Sequence, residues 1–149
     1  MLIQLSDVPI NDDDLASIRQ FPSVKRLLLS NTFITDAGLV HLQAMTNLEE
    51  LSLTFSDIGD AGMQHVGKLT TLKKLNLFQS AVGDAGIAEL VNLSNLEDLK
   101  LQRTNITDEA VPHLSKLTSL KELWVGRTGI TPAGVERLRT ALPNTTVRD

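Results

Sequence analysis

His41, His65 and His113 share one phase of a 24-residue spacing, and Glu89 fills the fourth place in that series. Imidazole with carboxylate suits zinc. Asp36, Asp60, Asp84 and Asp108 repeat at the same spacing and offer carboxylates for acid–base work. A third set, Phe55, Phe78, Lys100, Arg103, Trp124 and Arg127, carries scarce aromatics and cations, which suit recognition of a partner better than a reaction. Motifs for nucleophilic catalysis are missing: there is no G-x-S-x-G, no glycine-rich phosphate loop and no H-E-x-x-H. With no cysteine there is no thiol nucleophile, thiolate metal site or disulfide.

The spacing that positions these residues runs through nearly the whole chain. Copies begin at Val24, Leu48, Leu72, Leu96 and Leu120, and a further copy near residue 1 keeps the phase. ITDAGLVHL from Ile34 returns as IGDAGMQHV from Ile58, VGDAGIAEL from Val82, ITDEAVPHL from Ile106 and ITPAGVERL from Ile130. A fixed period of this length signals a solenoid whose repeats touch mainly their neighbours. Counting from the first residue of each copy, positions 1, 4, 6, 11, 16, 19 and 22 are apolar; in one copy these are Leu48, Leu51, Leu53, Ile58, Met63, Val66 and Leu69. Leu51 and Leu53 are two apart, the strand period, whereas Met63, Val66 and Leu69 are three apart, one stripe of a short helix. Each copy therefore reads as strand, turn, helix and return loop. Stacking sets like strands about 4.8 Å apart in a parallel sheet. Helices are wider than strands, so the stack curves with the sheet inside.

The same frame assigns the repeated polar residues. Thr35, Thr107 and Thr131 precede the helical stripe as N-caps, Pro132 fits a first helical turn, and the Asp column places a carboxylate at each helix's positive end. Gly38, Gly62, Gly86 and Gly134 recur where bulk obstructs packing. The Asp column is thus structural. The histidine column falls on the convex helices, with only His41 and His65 in adjacent copies, so no metal site is expected.

LEELSLTFSDIGDAGMQHVGKL and LKELWVGRTGITPAGVERL resemble leucine-rich repeats. The chain is similar to bacterial leucine-rich repeat proteins and to the repeat class of F-box receptors and ribonuclease-inhibitor-like horseshoes. The resemblance covers roughly residues 1–142. It implies an α/β leucine-rich repeat solenoid of about six repeats, a horseshoe with its parallel sheet concave and its helices convex. Two departures stand out. Position nine, usually Asn or Cys, reads Val8, Thr32, Ser56, Ser80, Thr104 and Thr128, so a hydroxyl ladder is expected along the turns. No F-box precedes the repeats, and the ubiquitin-ligase role does not carry over.

Such proteins generally bind partners on the concave sheet, at positions 3, 5 and 7 with 2 and 8 at the strand ends. There lie Phe55, Phe78, Lys100, Arg103, Trp124 and Arg127, including the chain's one tryptophan. Clustered cations at the C-terminal end point to a protein or peptide with an acidic surface. Positions two and three read Lys25-Arg26, Glu49-Glu50, Lys73-Lys74, Glu97-Asp98 and Lys121-Glu122, a ladder expected to alternate in sign from strand to strand and to hold register.

One domain over 1–149 is expected, with the period broken by a C-terminal cap at 141–149, where Val147 adds a closing strand. The N-terminus has no such device. Ile3, Leu5, Ile10, Leu15 and Ile18 leave an apolar edge, beside Asp12, Asp13 and Asp14; either the chain is a fragment of a larger protein, or this edge meets a partner or self-associates with a second copy. Net charge is -4, which disfavours nucleic acid. No apolar run spans a membrane, no signal peptide precedes the repeats, and the lack of cysteine leans toward a reducing, cytoplasmic setting. The reading is a non-enzymatic protein- or peptide-binding module without cofactors, the alternative being a spacer or sensor arm of a larger protein.

Overall fold

The computed structural model describes residues 1–149. Each copy contributes one short strand: β1 (Leu2–Gln4), β2 (Arg26–Leu28), β3 (Glu50–Ser52), β4 (Lys74–Asn76), β5 (Asp98–Lys100) and β6 (Glu122–Trp124), followed by β7 (Thr146–Arg148). All seven form one parallel sheet in chain order. Leu27, Leu51, Leu75, Leu99, Leu123 and Val147 lie opposite one another in succession, so register equals the sequence period. The convex side carries α1 (Asp12–Ala16), α2 (Asp60–Val66), α3 (Asp84–Glu89), α4 (Val111–Leu114) and α5 (Pro132–Ala141). The second coil uses a 3₁₀ helix, Gly38–Ala44, and shorter 3₁₀ turns follow α1 and precede α4. The apolar columns form one continuous core; Leu48, Leu51, Leu53, Ile58, Met63, Val66 and Leu69 are all buried.

The Asp column does more than face helix ends. Its main partners lie in the next coil. Asp12 Oδ1 accepts from the Thr35 backbone N–H at 2.8 Å and its Oδ2 from the Thr35 hydroxyl at 2.7 Å. Asp84 clasps Thr107 in the same way, at 2.7 Å for both bonds, and Asp108 clasps Thr131 at 2.8 Å for both. Asp36 and Asp60 hold the backbone N–H of Gly59 and Gly83, at 2.8 and 2.6 Å. These clasps satisfy N–H groups that precede each helix and would otherwise be orphaned. They also explain the glycine column. A Cβ on Gly62 would stand 2.5 Å from Asp36 Oδ1, and one on Gly86 2.6 Å from Asp60 Oδ1, so each glycine makes room for the clasp of the coil before it. The column ends at Pro132, in the last coil with a helix. The threonines are therefore only partly N-caps: Thr131 caps α5 through the Gly134 N–H at 3.1 Å, whereas Thr35 spends its hydroxyl on Asp12. The return loops are stitched too, with Asn47, Asn95 and Ser119 donating to the carbonyls of Pro22, Thr70 and Ser94 in the preceding coil.

Two expectations are corrected. The position-nine hydroxyls form no ladder between coils. Thr32, Ser56, Thr104 and Thr128 each donate to the carbonyl three residues earlier in their own coil, and Ser80 Oγ is buried without a partner. A hydroxyl is too short to reach the neighbouring turn and takes the nearest acceptor. The charge ladder holds at position two but fails at the end of position three. Glu49 bridges Lys25 and Lys73 at 2.8 and 2.9 Å, Lys121 meets Glu97 at 2.8 Å and Arg26 meets Glu50 at 2.7 Å. Asp98, however, lies opposite Glu122, acid beside acid. Glu122 turns instead to Arg148 on β7 at 3.0 Å, and Asp98 Oδ1 is left without a hydrogen bond.

Hydrogen bonds from Lys25 and then Lys73 lower the Glu49 carboxyl to about 2, from an ordinary value of 4.5. A carboxylate with a depressed folded-state pKa contributes stability above its unfolded pKa and loses it as pH falls toward the folded one. The Glu49 share of stability is therefore complete above about pH 4.5 and disappears by pH 2. Urea denaturation from pH 7 to 2 at low salt is expected to show wild type above Glu49→Gln at neutral pH, with the two curves converging at the acid end. The gap shrinks at high salt because the pairs are exposed.

β7 pairs with β6 as the seventh strand, and Arg139 of α5 ties to Asp149 at 2.8 Å. At the N-terminal end Ile3, Leu5, Leu15, Ile18 and Phe21 line an apolar concavity of about 190 Å³. The first coil closes its own turn: Asn11 accepts from Asp13 and Asp14, and Asp14 accepts from the Asn11 N–H in return.

Candidate binding surface on the concave sheet

Strand alternation sends the leucines of β3 to β6 inward and leaves their neighbours on the concave face. Just past each strand comes position eight, where the backbone turns sharply off the sheet. Asp7, Asn31, Phe55, Gln79, Arg103 and Arg127 all have positive φ, between 54 and 62°. Each N–H from Asp7 to Arg103 still bonds a carbonyl of the next coil, for example Phe55 to Phe78 at 3.0 Å and Arg103 to Gly126 at 3.2 Å. Asn and Asp tolerate this left-handed conformation; Phe, Gln and Arg pay about 1–2 kcal/mol in it. Glycine would adopt it freely. Gln79→Gly is accordingly expected to raise stability by about 0.5–1 kcal/mol, the strain relief less the added freedom of the unfolded chain. The check is the urea midpoint at unchanged slope. A lower midpoint would show that the turn does not strain the side chain.

Phe78, Arg103, Trp124 and Arg127 come together around one concavity of about 390 Å³. Phe55 lies beside it, 52% exposed, with its ring edge-on to Phe78 at 5.3 Å. Lys100 sits at its margin, Nζ 5.8 Å from the Trp124 ring, and also lines the adjoining hollow with Asn76 and Asp98. Arg103 lies over Phe78 at 5.8 Å. Two aromatic–cation runs thus lie side by side, Phe55–Phe78–Arg103 and Lys100–Trp124–Arg148, in which the cations pack on ring faces.

Four lining residues were not among the sequence candidates: Gln102, Gly126, Arg148 and Asp149. Arg148 matters most. Its guanidinium lies 4.6 Å from the Trp124 ring centroid while its Nε donates to Glu122, so β7 forms one wall of the surface. Trp124 is consequently half-buried rather than open. Arg148 falls 24 residues after Trp124, so the position-five column, carried past the break in period, reaches it.

The charges are unevenly matched. Arg26 and Arg148 are neutralised by Glu50 and Glu122, and Asp149 by Arg139. Arg103 has one side-chain bond, a long 3.4 Å contact to Gln79 Oε1, and Arg127 takes part in no ion pair. On the convex side, Arg19 Nη2 lies 2.6 Å from His41 Nδ1 and Gln43 Nε2 lies 2.9 Å from His65 Nδ1. These histidines bond along the stack, and no three His, Asp or Glu side chains are placed to share a metal ion. No helix is long and apolar enough to cross a membrane.

A one-sheet solenoid with apolar columns at this period defines the leucine-rich repeat class. Residues 44–66 and 68–91 match the family model described as Leucine Rich repeat. No curated protein matches in sequence. Among solved structures the chain is similar to an internalin, inlF, from Listeria monocytogenes, with a TM-score of 0.77 and 27% identity over 98% of this chain and 38% of that one. The chain has the leucine-rich repeat solenoid fold, two of its coils match that family's model, and it spans about 38% of the length of that internalin.

Proposed function

We propose that the chain is a non-enzymatic binding module that takes a protein or peptide on the C-terminal half of its concave face. Leucine-rich repeat domains typically bind proteins. The observation that carries the reading is the run Phe55, Phe78, Trp124 with Arg103 and Arg127. None of these side chains is needed by the coil, and three of them stand at left-handed positions that disfavour them. Aromatic and arginine side chains grouped on an exposed face are the usual anchors of an interface. Two cations without acidic partners favour a partner whose contact surface is acidic.

Self-association through the first coil has weaker support. The apolar concavity there has Asp14 in its lining, so two copies meeting at that end would bring these like charges together.

Photo-crosslinking tests the proposal. A photoreactive residue at Gln102 should capture a partner from a lysate of the source organism, and one at Lys116 on the convex side should not. Capture from Lys116 alone would put the interface on the helices and overturn the reading.

A further inference from the structure

We propose that Arg103 and Arg127 form a seat for a phosphoryl group carried on the partner polypeptide. The inference rests on the concave-face reading and names the group that the face takes. The two arginines occupy the same column in adjacent coils, so their strands are about one sheet spacing apart, roughly 4.8 Å. Like charges set side by side on neighbouring strands are unfavourable. Both residues also adopt the left-handed backbone conformation, φ 57 and 58°, which disfavours their side chains. Neither has a carboxylate partner, although elsewhere on this sheet Arg26 and Arg148 do. Like charge and missing counter-charges meet in one pair of residues that line one concavity, where the Arg103 guanidinium rests over Phe78 and against Gln79. A bound anion supplies the missing charges.

Stoichiometry selects the anion. Two uncompensated guanidiniums match a dianion, and a phosphoryl group carries about −1.5 to −2 at neutral pH. A carboxylate neutralises only one of them. Each guanidinium is a rigid planar fork that bonds two oxygens of one group, so two forks grip a tetrahedral oxyanion from two sides. Among the other lining residues Arg148 is held by Glu122 and the Asp149 side chain by Arg139, while the unpaired Lys100 lies outside the lining, over the Trp124 ring. Phe78 and Trp124 line the same hollow and offer apolar faces to the residues that flank the phosphorylated one. Those flanking contacts distinguish a phosphorylated polypeptide from free phosphate.

Trp124, the one tryptophan, provides a fluorescence readout. Three probes are compared at fixed ionic strength and pH 7.5: a short peptide with one phosphoserine beside a leucine, the same peptide with glutamate instead, and inorganic phosphate. The phosphopeptide is expected to bind roughly fivefold or more tightly than either of the others. Its binding should weaken as pH falls through about 6, where the phosphoryl group loses its second charge. Arg103→Gln and Arg127→Gln should each lose roughly fivefold or more, and Lys116→Gln on the convex side should lose nothing. Equal binding of the phosphoserine and glutamate peptides, or unchanged binding in Arg127→Gln, overturns the seat. Inorganic phosphate binding as tightly as the phosphopeptide overturns its assignment to a polypeptide. If the phosphopeptide shows no preference while the Gln102 crosslinker still captures a partner, the seat fails and the concave-face reading survives. If Gln102 captures nothing, both fail.

Discussion

Gly67→Ala is expected to destabilise the protein by about 3 kcal/mol, although the usual rule for such a site predicts the reverse. Gly67 ends α2 with φ −60 and ψ −13°, an ordinary right-handed conformation that alanine adopts readily. On backbone grounds alone the change stabilises by about 0.4–1 kcal/mol, because alanine has less freedom in the unfolded chain. Packing decides otherwise. A Cβ at Gly67 would lie 2.2 Å from the carbonyl oxygen of Glu89, at the end of α3 in the next coil. At Gly86 the nearest atom is the end of the Asp60 side chain, which can swing aside. At Gly67 the obstacle is backbone, so coils three and four must separate. In a solenoid that cost falls on a single nearest-neighbour interface. The urea midpoint should drop, and the slope should fall as the first three coils unfold apart from the rest. A midpoint equal to or above wild type would contradict the close approach of α2 and α3.

Trp124→Ala is expected to weaken partner binding roughly 30-fold or more, about 2 kcal/mol, with only a small loss of stability. The ring is the largest side chain lining the candidate concavity and is flanked by Lys100 at 5.8 Å and Arg148 at 4.6 Å. Removing it takes away the anchor and frees both cations from the positions its ring faces hold. The backbone beneath is kept by Leu123 and Val125, both buried, and by pairing with Lys100 and Arg148. Phe55→Ala should cost less, because Phe55 lies outside the concavity and packs on Phe78 alone among the aromatics. Titration calorimetry against the crosslinked partner measures the first effect, and urea denaturation of the free protein the second.

The fold was legible because the leucine columns are dictated by geometry. A residue buried between two coils is apolar whatever the partner, so Leu51, Leu75 and Leu99 announce both sheet and register. The clasps were legible only along a diagonal. Asp60 of one coil must be read with Gly83 and Gly86 of the next, since a carboxylate reaching across the stack requires both a donor and a missing Cβ. Columns read one at a time make the same residues a helix-end charge and a packing glycine. The left-handed turn at position eight left a weaker trace. Asp7 and Asn31 are types that tolerate it, but Phe55, Gln79, Arg103 and Arg127 are not, and no glycine marks the column. Arg148 escaped because the loop before β7 breaks the sequence pattern while the strand stays in phase. The like-charged neighbours Asp98 and Glu122 stand in plain view in the sequence, and what resolves them is again Arg148, from beyond the last full repeat.

Amide hydrogen exchange of the free protein and of its complex with the crosslinked partner tests the concave-face account most directly. Binding should slow exchange in β4, β5 and β6 and in the turns after them, at Gln79, Arg103, Gly126 and Arg127, and leave α2, α3 and α4 unchanged. Protection confined to the convex helices, or to the first coil around Ile3 and Phe21, would contradict it.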